Sequence, residues 1–238
     1  MKPFVAEVIG TALLIIFGDG VVAAVLLNKT KAQNAGWMVI TTGWAMGVVV
    51  AVYAVGRISG AHLNPAITLG LAVIGKFAWS DVPRYVAAQF IGAFLGAVVV
   101  WLAYLAHWPE TESQVSKLSV FSTVPAIRRR PLNLVTEIIG TFVLVFGVLA
   151  ILANAAPAQT GLTSLLVGLL VWGIGLSLGA PTGYAINPAR DLGPRIAHAL
   201  LPIAGKGSSD WGYSWVPVVG PVIGGVIGAA AYVSCFGS

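Results

Sequence analysis

Apolar residues fall along this chain in long runs. Six runs approach or exceed the roughly 20 mostly apolar residues that a helix needs to cross a bilayer. They cover roughly residues 4–27, 36–56, 84–106, 132–153, 162–180 and 215–236. Lipid admits only helices or closed barrels, and the alternating ten-residue strands of a barrel do not occur. Each run therefore predicts a spanning helix. Two further apolar segments, 64–77 and 187–201, are too short to span at about 14 residues. Each opens with Asn-Pro-Ala. Proline suits the first turn of a helix and asparagine its N-cap, so both predict re-entrant half-helices that start at the Asn. The longest polar gap, 107–131, holds Glu110, Glu112 and the run Arg128-Arg129-Arg130.

Only 9% of the 238 residues are charged and 58% are hydrophobic. A soluble domain carries about 25% charged residues. So few charges cannot coat a globule of this size, which excludes a soluble enzyme and a disordered chain. The lone Cys235 forms no internal disulfide. The formal charge of +5 comes from scattered residues without a recognition motif, so the basic flanks are assigned to lipid headgroups and no nucleic-acid partner is expected. The run from Phe4 is longer than a signal h-region and has no clear cleavage site. It reads as the first span.

The two halves repeat. Ala6-Glu7-Val8-Ile9-Gly10-Thr11 corresponds to Thr136-Glu137-Ile138-Ile139-Gly140-Thr141. The stretch from Ser59 to Ala66 corresponds to that from Thr182 to Ala189, and Ile91-Gly92 to Val219-Gly220. The offsets are 130, 123 and 128 residues, in one order. Three spans per copy make the second copy inverted, with a pseudo-two-fold axis in the membrane plane. The Asn-Pro-Ala starts then meet near the midplane, where irregular backbone is tolerated only in protein or along a cavity. A pore follows. The expected organisation is one channel domain over 1–238, with repeats at about 1–106 and 132–238 joined by 107–131. Gly92/Gly96 and Gly220/Gly224 are assigned to close helix packing.

Asn64-Pro65-Ala66 and Asn187-Pro188-Ala189, with Arg190 directly after the second, resemble the aquaporins over nearly the whole chain. The resemblance implies an all-α membrane protein: six transmembrane helices plus two re-entrant half-helices in an inverted repeat. It also implies a homotetramer with one pore per protomer. Asn64 and Asn187 have side-chain amides that donate to a passing oxygen. The half-helix N-termini add positive partial charge there, which orients hydroxyls and repels protons and cations. By resemblance, the carbonyls of Gly60, Ala61 and His62 and of Gly183, Tyr184 and Ala185 form a ladder of acceptors beside an apolar wall. Trp44, Gly175, Tyr184 and Arg190 fall where the family has its selectivity filter. Gly175 is expected to leave room in it.

Asp191 and Arg195, with Pro217-Val218, resemble the markers of the glycerol-facilitator subgroup. The implied solutes are water, glycerol, dihydroxyacetone and urea, with protonated lactic acid as an extra. Glu7 and Glu137 are read as the acids well inside the spans. By resemblance each accepts backbone N–H bonds and braces a re-entrant loop.

The alternatives are a proton-coupled inverted-repeat transporter, which would need coupling residues, and a water-selective channel. No metal cluster or nucleophile–base pair suggests an enzyme, and no cofactor is expected. The location implied is a bacterial plasma membrane with cytoplasmic termini. That topology puts Lys29, Lys31, Lys117 and the triple Arg outside, against the positive-inside tendency.

Overall fold

The computed structural model describes residues 1–154 and 160–237. Among these, nine helices form and no strand: α1 (Pro3–Leu26), α2 (Trp37–Ser59), α3 (Pro65–Val73), α4 (Val82–Ala103), α5 (Gln114–Phe121), α6 (Arg130–Ala153), α7 (Thr163–Leu178), α8 (Pro188–Leu200) and α9 (Val216–Phe236). Five of them, α1, α2, α4, α6 and α9, are long and apolar enough to cross a membrane. The sixth expected span, α7, has 16 residues, about 24 Å at 1.5 Å per residue. It is shorter than its apolar run predicted.

The repeat governs the packing. α1 packs on α2 and α4, and α6 packs on α7 and α9 in the same way, with α2 meeting α7 between them. The half-helices cross over: α3 seats on α9, and α8 on α4. Glycines make these approaches possible. A Cβ on Gly92 of α4 would stand 2.4 Å from the Val8 carbonyl oxygen of α1, and one on Gly224 of α9 would stand 2.2 Å from that of Ile138.

Two elements differ from the sequence expectation. The first half-helix ends at Val73, not near Phe77, because Gly75 turns left-handed (φ 74°). The amides of Gly75 and Lys76 then close back on the carbonyls of Ala72 and Leu71, a glycine-dependent helix stop. The polar gap holds an unexpected helix, α5. Ser113 caps it by accepting from the Ser116 amide. It buries Leu118, Val120 and Phe121, while the buried Lys117 donates to the Ala204 carbonyl.

Glu7 and Glu137 are not the only acids inside the spans. Asp19 of α1 is also fully buried. The run 4–27 stays apolar despite its two acids, and Asp19, unlike Glu7, has no acidic counterpart in the second repeat.

Candidate functional site

Two loops lead into the half-helices with matching backbones. Residues 60, 61 and 63 have positive φ (82°, 48° and 53°), and so do 183, 184 and 186 (87°, 38° and 42°). Ala61, Leu63, Tyr184 and Ile186 are not glycine, so each costs on the order of 1–3 kcal/mol. Buried carboxylates hold both loops. Glu7 accepts from the His62 amide (3.0 Å), the Leu63 amide (2.8 Å), Ser59 Oγ (2.7 Å) and Gln89 Nε2 (2.8 Å). Glu137 accepts from the Ala185 amide (3.0 Å), the Ile186 amide (2.8 Å) and Thr182 Oγ1 (2.7 Å). The repeat's counterpart of Gln89 is Pro217, which has no donor to offer.

The two asparagines bond reciprocally. Asn64 Nδ2 donates to the Ile186 carbonyl and Asn187 Nδ2 to the Leu63 carbonyl, both at 2.8 Å. Their Oδ1 atoms cap the half-helices: Asn64 accepts from the Ala66 amide, and Asn187 from the Ala189 and Arg190 amides. An amide nitrogen carries two protons, so each keeps one for the space it faces.

That space is a narrow cavity of about 70 Å³. Residues 61–64 and 184–187 line one part of it, and Leu14, Val48, Val52, Ile67, Leu144, Val167 and Val171 another. Trp44 and Arg190 also line it, with the guanidinium 4.0 Å over the Trp44 ring. Gly175 does not line it. Tyr184 takes its room: a Cβ there would lie 3.0 Å from the tyrosine Cζ. Trp37 packs edge-on to Tyr184 (5.7 Å) and donates to the Gly175 carbonyl. Gly60 and Gly183 also stay off the cavity and open the loops, and Leu63 and Ile186 join the lining in their place. The His62 imidazole packs with Phe77 and Tyr85 and lies 3.1 Å from Thr68 Oγ1.

Residues 1–232 match the family model for the major intrinsic proteins. The chain belongs to the major intrinsic protein family. It is 62% identical over 232 residues to a probable glycerol uptake facilitator protein of Thermotoga maritima, covering 98% of each chain. It is 58% identical to the glycerol uptake facilitator protein of Bacillus subtilis, covering 99% of this chain and 85% of that one. Among solved structures it is similar to the aquaglyceroporin from Plasmodium falciparum (TM-score 0.83, 30% identity, 96% of this chain and 93% of that one).

In this major intrinsic protein Asp191 and Arg195 form a wholly buried pair one turn into α8. All five guanidinium N–H groups are engaged: two on Asp191 Oδ1, the rest on the carbonyls of Ser209, Asp210 and Thr123. Asp191 Oδ2 accepts from the Thr123 amide and hydroxyl. The pair thus ties α8 to the segment after α5 and to the loop before α9. Pro217 is buried in the first turn of α9 and Val218 half-buried beside it, both away from the cavity.

Sequence reasoning missed Ser59, Thr182, Gln89 and Thr123. Ser59 and Thr182 were visible as equivalent hydroxyls in the repeat. Gln89 and Thr123 carry no local signal, because their partners lie 82 and 68 residues away.

Proposed function

We propose that this protein is a passive channel for glycerol and other small uncharged solutes, and for water, that excludes protons and ions. It lies in the bacterial plasma membrane. The observation that carries this reading is the cavity with Arg190 over Trp44 at one point and the paired asparagines at another. Fixed donors and carbonyl acceptors on one part of the wall suit hydroxyls, and the aliphatic part suits a carbon backbone. Arg190, Trp44 and Tyr184 serve as the filter, with Gly175 admitting the Tyr184 ring. The carbonyls from 61 to 63 and from 184 to 186 serve as the ladder. Glu7 and Glu137 brace the loops, and the free N–H of Asn64 and Asn187 turns a passing oxygen at the helix N-termini. The facilitator relatives do not favour a proton-coupled transporter or a water-selective channel, and channels of this family are transporters rather than enzymes.

The same reading covers the finer points. The chain acts as one channel domain of two inverted repeats, assembles as a homotetramer and keeps both termini in the cytoplasm. Dihydroxyacetone, urea and protonated lactic acid fit the same opening. The test is stopped-flow light scattering of proteoliposomes in an inward glycerol gradient. Re-swelling at least tenfold faster than empty liposomes supports the reading. Glycerol re-swelling at the empty-liposome rate, with fast water flux, would make it a water channel.

A further inference from the structure

The basic run Arg128-Arg129-Arg130 stands where the chain enters α6, and conduction uses none of it. Its backbone is fixed from inside. The buried Asn133 accepts from the Arg129 amide and donates to the Ile127 carbonyl, both at 3.0 Å, and the Ala126 amide bonds the Pro181 carbonyl. The turn before α9 lies alongside. Arg128 makes two bonds to Asp210 and lies 5.3 Å over the Tyr213 ring. Arg130 reaches the middle of the same turn, where its Nη2 stands 3.3 Å from the position of a Gly212 Cβ.

The three arginines are not equivalent. Arg128 is neutralised by Asp210, and Asp191 beneath is taken by Arg195. Arg129 and Arg130 are exposed, and neither is in an ion pair among the described residues. The start of α4, the repeat's counterpart of α9, is balanced by contrast: Arg84 there stands 3.9 Å from Asp81.

Exposed apolar side chains border the two unbalanced guanidinium groups. Ile127 lies just before the run and Leu132 just after it, while Trp211 and Trp215 lie on either side of Gly212. From here two exposed stripes continue at helical spacing: Leu132, Val135 and Ile139 on α6, and Trp215, Val219 and Ile223 on α9. The two helices pack on each other, so both stripes lead from this corner into the membrane. Tryptophan at the end of a spanning segment sits at headgroup level, and a guanidinium grips phosphate through two parallel bonds. Charge at the top, aromatic rings at the interface and an apolar surface beneath match a phospholipid. A zwitterionic head would set its own cation against two unbalanced guanidinium groups, whereas an anionic head would not. A second copy of the chain has little to offer them: Glu112 is the one exposed acid outside an ion pair among the described residues.

We infer that Arg129 and Arg130 hold the headgroup of an anionic phospholipid, with Trp211 and Trp215 at its glycerol level and its chains on the stripes of α6 and α9. The site lies outside the conduction path, since none of its residues lines the cavity.

The experiment is native mass spectrometry of the detergent-solubilised protein, titrated with phosphatidylglycerol and with phosphatidylcholine of the same chains. The parent should bind its first phosphatidylglycerol roughly tenfold more tightly than phosphatidylcholine. Arg129→Gln/Arg130→Gln should bring that ratio below about threefold. Arg57→Gln/Lys76→Gln removes the same charge from exposed residues elsewhere and should keep the ratio within about twofold of the parent. If the first double variant keeps the parental ratio, or if both lose it equally, the site is refuted. Trp211→Ala/Trp215→Ala should weaken both lipids alike, and unchanged binding of both would overturn the seat. Displacement of bound phosphatidylglycerol by an equal concentration of inorganic phosphate would make this a phosphate site and overturn the lipid assignment. Should Arg129→Gln/Arg130→Gln not fold, the single variant Arg130→Gln decides, with an expected loss of about threefold in the ratio.

Discussion

Gly175 and Tyr184 share one volume: a Cβ on residue 175 would lie 3.0 Å from Tyr184 Cζ and 3.1 Å from its hydroxyl oxygen. Thr41 closes the same space from another side at 3.0 Å. A methyl group there requires Tyr184, whose backbone lines the cavity, or Thr41 to give by a few tenths of an ångström. Gly175→Ala is expected to cut glycerol permeability roughly tenfold, equivalent to about 1.4 kcal/mol in the barrier. Water permeability should fall less than about threefold. Parallel glycerol and sorbitol shocks on the same vesicles measure both.

Glu137 offers the Ala185 and Ile186 amides one oxygen each. In Glu137→Gln an NH2 group must face one of these N–H donors, leaving it buried without an acceptor. That costs about 1–3 kcal/mol. The detergent-solubilised variant should unfold at lower temperature. Its flux per folded channel should stay within about threefold of the parent and should not vary with pH, because a brace needs no proton transfer.

The sequence carried the frame of this site but not its fine positions. The spans were legible because lipid demands unbroken apolar runs, and the half-helices because Asn-Pro-Ala marks a capped start twice. The loop braces at Glu7 and Glu137 were expected only by the family resemblance, on two acids that recur in the repeat. Asp19 was not legible, since the residue at the same repeat offset is Leu149 and its burial shows only in the fold. Nor was the place of Gly175: a missing side chain says nothing of which neighbour fills the space. Helix α5 was hidden because eight residues within a polar gap make too short a pattern.

Two neighbouring ion pairs should differ in strength, since Arg195 of one also donates to the Asp210 carbonyl of the other. Asp191–Arg195 is fully buried and Arg128–Asp210 is partly exposed. Asp191→Ala leaves a buried guanidinium without its acid and is expected to cost about 3–5 kcal/mol. Arg128→Ala should cost less than about 1 kcal/mol, as exposed pairs do. Thermal unfolding of both variants in one detergent compares them.

The proposed topology puts α5 outside despite its basic surroundings. Glu112, just before it, is exposed. In a Cys235→Ser background, Glu112→Cys should react with a membrane-impermeant maleimide added to intact cells. Labelling that requires opened cells would reverse the topology.

Passive conduction is the central claim, and glycerol equilibration under an imposed proton gradient tests it most directly. Proteoliposomes would be loaded with labelled glycerol at equal concentration inside and out, and a pH step then applied. A channel held open by the braced loops and paired asparagines leaves the internal concentration unchanged for either sign of the step. Accumulation above the external concentration, in the direction set by the gradient, would contradict the account and make the protein a coupled transporter.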